Sequence, residues 1–168
     1  MIEKRFDIEK AVSHLRALAP DEITAEVDEE IAQALASRLA DVVFVFREPT
    51  WGDVRSHRRA VKAKKELADA FRESKNALRE KIADPDAQVS EIEARFLNIT
   101  ARIEALDDEL MELVTGFAAE YLESVKGLSG FEKDERPSAE KLASDAMPQA
   151  LFWQIYMEIL SGGLEAKN

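Results

Sequence analysis

The chain has 168 residues, 34% of them charged, and a formal net charge of −11. It contains no cysteine, which excludes disulfides and thiolate metal sites and favours a reducing, intracellular compartment. No apolar run approaches the ~20 residues of a membrane helix, and the N-terminus lacks the apolar core of a secretion signal. We therefore expect a cytoplasmic protein with a single domain over residues 1–168.

The first part of the chain, residues 1–46, is predicted to hold two short helices and one strand. Apolar residues recur at helical spacing over residues 7–19 and 24–40. The β-branched and aromatic run at residues 42–46, ended by Pro49, is the one convincing strand signal. A lone strand leaves its backbone groups unpaired. Its partner must be a segment otherwise predicted as helix, or another subunit.

Residues 50–125 are predicted to form a long antiparallel helical hairpin. Thr50 and Asp53 have the spacing of a capping box, and Pro85 separates a helix over 50–82 from one over 85–125. In the second helix nine apolar residues alternate at spacings of three and four, as in a coiled-coil seam. They are Val89, Ile92, Phe96, Ile99, Ile103, Leu106, Leu110, Leu113 and Phe117. The fold class is mainly α, with at most a small β element, and the seam closes either within the chain or between chains.

A basic stripe lies on one side of the first long helix. It consists of Arg55, Arg58, Arg59, Lys62 and Lys65. Such a stripe suits an anion or a nucleic acid, but a turn near Pro85 would place Lys62 beside Asp107 and Lys65 beside Glu104. Because carboxylates of the neighbouring helix explain the stripe, we expect no nucleic-acid partner.

Residues 126–168 are predicted to contain a glycine-rich loop, a short helix over 138–146 and a bulky helix over 149–160 that Gly162 and Gly163 end. Phe152, Trp153 and Tyr156 lie on the bulky helix, as core residues or as a docking surface. A helix that is apolar nearly all round needs cover on every side, and a slender hairpin supplies little. These three aromatics are therefore the candidate partner-binding residues.

No constellation for catalysis or metal binding is recognisable. The only histidines are His14 and His57, and neither follows a glutamate by three residues, as a di-metal bundle requires. Without cysteine, and without a glycine-rich phosphate loop, nucleophilic and phosphoryl chemistry lack their usual groups. We expect no enzyme, no catalytic residues, no metal and no cofactor.

Two stretches resemble small tail assembly chaperones of tailed bacteriophages. The first is FVFREPTWGDV at residues 44–54, similar to the opening of those proteins, in which a strand leads through Arg-Glu-Pro-Thr into a helix. The second is VKGLSGF at 125–131, followed by PSAEKL at 137–142, Met147-Pro148 and the aromatic helix. The resemblance covers about a third of the chain. It implies an acidic, helical protein of the host cytoplasm that keeps the apolar helices of a tape-measure protein soluble, and it designates no site residues.

Three functions remain as hypotheses. The first is this chaperone function, exerted on a protein partner with apolar helices. The second is a structural tail or head-completion subunit that self-associates through the seam. The third is a small nucleic-acid-binding regulator that uses the basic stripe.

Overall fold

The computed structural model describes residues 1–18, 25–82 and 89–165. The predicted turn around Pro85 lies outside these residues. The elements in chain order are β1 (Ile2–Arg5), α1 (Ile8–Leu18), α2 (Ala25–Leu39), β2 (Val43–Phe46), α3 (Trp51–Ile82), α4 (Val89–Tyr121), β3 (Leu122–Lys126), α5 (Ala139–Ala143) and α6 (Gln149–Glu165). The mainly α fold class, with two long packed helices and a small β element, is confirmed.

The chain forms two compact units. Unit 1 consists of Met1–Val54 and Thr115–Asn168, and unit 2 of Arg55–Val114. Unit 2 therefore contains most of α3 and α4. Unit 1 contains the strands, the shorter helices, the first residues of α3 and the last turns of α4.

In unit 1 the one strand predicted from the sequence pairs with two other strands of the same chain. The sheet is antiparallel with the order β1-β2-β3, and Phe44 of β2 lies opposite both Lys4 and Val125. Each connection between neighbouring strands is a helical pair, α1–α2 and then α3–α4. The prediction that residues 122–125 continue the hairpin helix is wrong, because these residues pair with β2 and α4 ends at Tyr121.

Helix α6 helps to form the core of unit 1. Phe44 and Phe46 are at most 1% exposed, and so are Leu151, Ile155 and Ile159 of α6. The prediction that Gly162 and Gly163 end this helix is wrong, since α6 runs to Glu165. A Cβ built on Gly162 would lie 3.5 Å from the ring of Phe46, at ordinary van der Waals contact, so this part of α6 packs directly on the sheet. Unit 1 itself covers most of the apolar helix.

In unit 2 the seam closes within the chain. Helix α3 has a heptad pattern of its own, in which three polar residues, His57, Lys64 and Lys75, occupy seam positions. His57 is 8% exposed, and this burial lowers its pKa. Lys64 pairs with Glu109 of α4, and the Lys75 amine lies 5.0 Å from the centroid of the Phe96 ring. The lysines lie along the seam and place their charged ends at its rim, as amphipathic side chains do.

The register of the hairpin differs from the predicted one. Asp107 pairs with Arg72 at 2.8 Å, whereas Lys62 pairs within its own helix with Glu66 at 3.5 Å. The predicted register, which placed Lys62 beside Asp107, is wrong.

The burial of the seam yields a stability prediction with a matched control on the same helix. Leu106 is 7% exposed and Leu97 is 68% exposed. Leu106→Ala should lower the free energy of unfolding by about 2–5 kcal/mol, because it removes buried contacts and leaves a cavity. Leu97→Ala should change it by less than about 0.5 kcal/mol. Urea titrations of both variants test this, and equal midpoints would contradict a buried seam.

Candidate partner-binding surface

The three aromatic residues predicted to bind a partner lie together on α6, at different depths. Phe152 and Tyr156 are 3% and 6% exposed, while Trp153 is half-buried. The rings contact one another: the centroids of Phe152 and Trp153 are 5.4 Å apart, and those of Trp153 and Tyr156 are 5.7 Å apart. Phe152 and Tyr156 therefore belong to the core of unit 1, and their rings pack against the inner side of Trp153.

We define the outer stripe of α6 as Ala150, Trp153 and Met157. These residues follow one another at helical spacing on the side of α6 turned away from the core. Met157 is 48% exposed, whereas Ala150 and Trp153 are half-buried. The stripe contains no charged residue, although about a third of the residues in the chain are charged. Met157 was not among the three residues predicted to bind a partner, and its exposure identifies it as a surface residue.

The aromatic cluster continues onto the last turns of α4. The ring of Phe117 lies 6.5 Å from that of Tyr156 and 4.9 Å from that of Tyr121. The packing of α6 therefore depends on the position at which α4 ends.

Two arginines hold that end of α4. The last turn of the helix contains no basic residue of its own. A guanidinium N–H of Arg47 donates to the carbonyl of Glu120 at 2.5 Å, and Arg136 donates to the carbonyls of Ala119 and Glu120. The last carbonyls of a helix lack partners within the helix, and a positive charge there interacts favourably with the negative end of the helix dipole. We call this arrangement the arginine clamp.

The segment from Arg47 to Asp53 thus has a structural role, apart from any partner. Arg47 also forms an ion pair with Glu123 at 2.7 Å. Thr50 and Asp53 cap the start of α3 reciprocally, with the Thr50 hydroxyl 2.6 Å from the Asp53 carboxylate and the Asp53 amide 3.2 Å from the Thr50 hydroxyl. The buried Pro49 lies between these two contacts. One short segment therefore starts α3 and holds the end of α4.

The second segment that carries the resemblance also meets backbone requirements. Gly127, directly after β3, has a φ of +82°, and a Cβ there would lie 2.9 Å from the carbonyl oxygen of Asp41. Only glycine satisfies both constraints without strain. Further on, the Ser138 hydroxyl accepts a hydrogen bond from the Lys141 amide and caps α5.

Tyr121 connects the clamp to the capping box. The hydrogen bond from the Thr50 hydroxyl, and then the one that the Tyr121 hydroxyl donates to the Asp53 carboxylate, lower the pKa of Asp53. Burial, and then this hydrogen bond, raise the pKa of Tyr121 to about 12. The guanidinium carbon of Arg47 lies 5.6 Å from the centroid of the Tyr121 ring.

The basic stripe of α3 is exposed along its length. Arg55, Arg58, Arg59, Lys62 and Lys65 all have exposed side chains. Asp107, the acidic partner predicted for Lys62, contacts Arg72, and Lys62 pairs with Glu66 of its own helix. The absence of a nucleic-acid partner stays a prediction.

Among the residues that the structure describes, no cluster of three or more His, Cys, Asp or Glu side chains is placed to hold a metal ion. Over the same residues, no helix is long and apolar enough to cross a membrane. No protein-family model, curated protein or solved structure matched the chain.

The raised pKa of Tyr121 predicts a pH effect with a definite sign. Since the pKa lies above the ordinary value of 10.0 in the folded state, the unfolded chain loses its proton first as the pH rises. The contribution to stability is complete below pH 10 and falls between pH 10 and about 12. In an absorbance titration, the tyrosinate step near pH 12 should disappear in Tyr121→Phe. A step near pH 10 that this variant removes would contradict the buried hydrogen bond.

Proposed function

We propose that this protein is a non-enzymatic assembly chaperone that binds an apolar helix of a tape-measure-like partner and keeps that partner soluble. The observation that carries the proposal is the outer stripe of α6. It places an aromatic ring and a methionine, both uncharged and accessible, on a helix whose inner side is fixed in a core.

The chemistry of the stripe suits a partner helix. Aromatic residues in a desolvated contact supply much of the binding energy of many complexes, and methionine adapts to irregular apolar surfaces. Phe152 and Tyr156 hold the indole of Trp153 in place, which reduces the entropy lost on binding. The net charge of −11 helps to keep a complex with an apolar helix soluble.

The other two hypotheses differ in their support. The structural-subunit hypothesis invoked self-association through the seam, which α3 and α4 close against each other. The nucleic-acid hypothesis keeps one observation in its favour, the exposed basic stripe. The net negative charge of the chain repels the phosphate backbone of a nucleic acid.

The chaperone proposal predicts the effect of a charge on the outer stripe. Met157→Glu should reduce capture of a co-expressed tape-measure-like helix at least about tenfold, because a carboxylate would have to be desolvated in the contact. Met111→Glu is the matched control on α4, where the side chain is 41% exposed. It should capture the helix as the natural protein does, and circular dichroism checks that both variants are folded.

Equal capture by both variants would remove the outer stripe from the contact. If the natural protein captures no helix and is present stoichiometrically in purified phage particles, the structural-subunit hypothesis replaces the chaperone proposal.

A separate prediction concerns the basic stripe. In a gel-shift series from low to high salt, the natural protein should cause no shift of duplex DNA, because its net negative charge outweighs the stripe. A shift at low salt that is lost in Arg58→Glu would support the regulator hypothesis instead.

A further inference from the structure

Strand β1 lies at an edge of the sheet in unit 1. Among the strands that the structure describes, β2 is its one neighbour. Glu3, Lys4 and Arg5 are all exposed, so the free side of β1 is open to solvent. The opposite edge differs, because Leu122 and Val125 of β3 are fully buried. An edge strand presents unpaired N–H and C=O groups with which another strand can pair.

The register of β1 against β2 decides which of its backbone groups are unpaired. The amide of Phe6 donates to the carbonyl of Val42 at 2.9 Å. In an antiparallel pair, residues that exchange hydrogen bonds with the neighbouring strand alternate with residues that do not. Lys4 therefore directs its backbone N–H and C=O toward β2. Glu3 and Arg5, on either side of it, direct theirs away from β2 and out of the sheet.

These two residues restrict how a second copy of β1 can pair with the first. A two-fold axis perpendicular to the sheet makes the two strands antiparallel. Outward backbone groups must meet outward backbone groups, so Glu3 lies opposite Arg5 of the second copy, or each of them lies opposite its own kind. Like charges directly opposite each other destabilise a strand pair, and opposite charges stabilise it. Only the register with Glu3 opposite Arg5 matches the charges.

The intrachain ion pair of Glu3 leaves room for this contact. Its carboxylate lies 3.5 Å from the Lys126 amine, and the side chain is still 64% exposed. A carboxylate has two oxygens and can accept several hydrogen bonds. Glu3 can therefore accept from Arg5 of the second copy while it keeps its contact with Lys126.

Lys4 would lie opposite its own copy at the axis, on the face of the sheet that α6 covers. Its amine lies 3.6 Å from the Glu158 carboxylate, which Lys10 contacts at 2.7 Å. The carboxylate of each copy reduces the repulsion between the two Lys4 amines. The charge at the axis therefore weakens this register without excluding it.

We propose that the protein forms a two-fold symmetric dimer in which the free edges of two β1 strands pair antiparallel, with Glu3 of each copy opposite Arg5 of the other. The two three-stranded sheets then form one continuous sheet. The contact is small, so we expect a dissociation constant of roughly 10–100 µM. It uses neither the seam nor the outer stripe of α6, so this dimer does not depend on the chaperone proposal.

Sedimentation velocity at increasing protein concentration is the first test. The mass should rise from 18.9 kDa toward twice that value through roughly 10–100 µM. Glu3→Arg and Arg5→Glu should each weaken dimerisation at least about tenfold, because each variant places like charges opposite each other. The double variant restores opposite charges in reversed order and should dimerise as the natural protein does. Since the double variant lacks the contact between Glu3 and Lys126, that contact cannot account for the recovery.

Three results would overturn the proposal. The first is a natural protein that keeps a mass of 18.9 kDa up to about 500 µM. The second is a single variant that dimerises as the natural protein does. The third is a double variant that is folded by circular dichroism and stays monomeric.

Cysteine cross-linking tests the register directly, since the chain has no cysteine of its own. Lys4→Cys should form a disulfide-linked dimer under mild oxidation, because the two copies of this residue lie directly opposite, with Cα atoms about 4.5 Å apart. An equal mixture of Glu3→Cys and Arg5→Cys proteins should form the mixed dimer. Glu3→Cys alone should not cross-link, because its own copy is two residues out of register. Cross-linking of Glu3→Cys alone, without that of Lys4→Cys, would refute this pairing.

Discussion

The end of α4 is the position on which the architecture of unit 1 depends. At Tyr121 the chain changes from helix to strand without a loop, and the next residue already belongs to β3. Such a junction leaves helix carbonyls without partners unless other groups satisfy them. Arg47 reaches them from the segment after β2, and Arg136 reaches them from the loop before α5. Segments far apart in the sequence thus meet at one helix end, and Phe117 transmits its position to α6.

This dependence gives the motifs behind the phage resemblance a physical meaning. Arg47, Thr50 and Asp53 each satisfy backbone or carboxylate groups at a helix end, and Gly127 lies where a side chain would meet the backbone of Asp41. Residues of this kind preserve a fold, whatever partner the protein binds. The surface of α6 is the proposed site of function, and the motifs contribute by holding that surface in place.

The sequence was a good guide wherever local periodicity decided the structure. The seam from Ile92 to Phe117 lies in one unbroken helix, and the capping box at Thr50 starts α3 as predicted. It was a poor guide where a distant partner decided. Leu122 to Val125 have ordinary helical spacing, and only β2 makes them a strand. Gly162 has the usual character of a helix stop, yet it lies inside α6, where the helix packs beside Phe46. The depths of Phe152, Trp153 and Met157 are likewise set by packing, which periodicity alone does not resolve.

The order of the strands has a consequence for how the chain acquires its structure. The middle strand β2 pairs with residues 2–5 on one side and with residues 122–126 on the other. The second pairing joins residues some eighty positions apart and requires closure of a long loop, whereas the hairpin between them forms from contacts that are nearer in sequence. On a ribosome, β2 and most of α3 emerge well before β3 is made. We therefore expect the helical hairpin to form early and to bring the ends of the loop together, so that the sheet, the clamp and the seat of α6 assemble late.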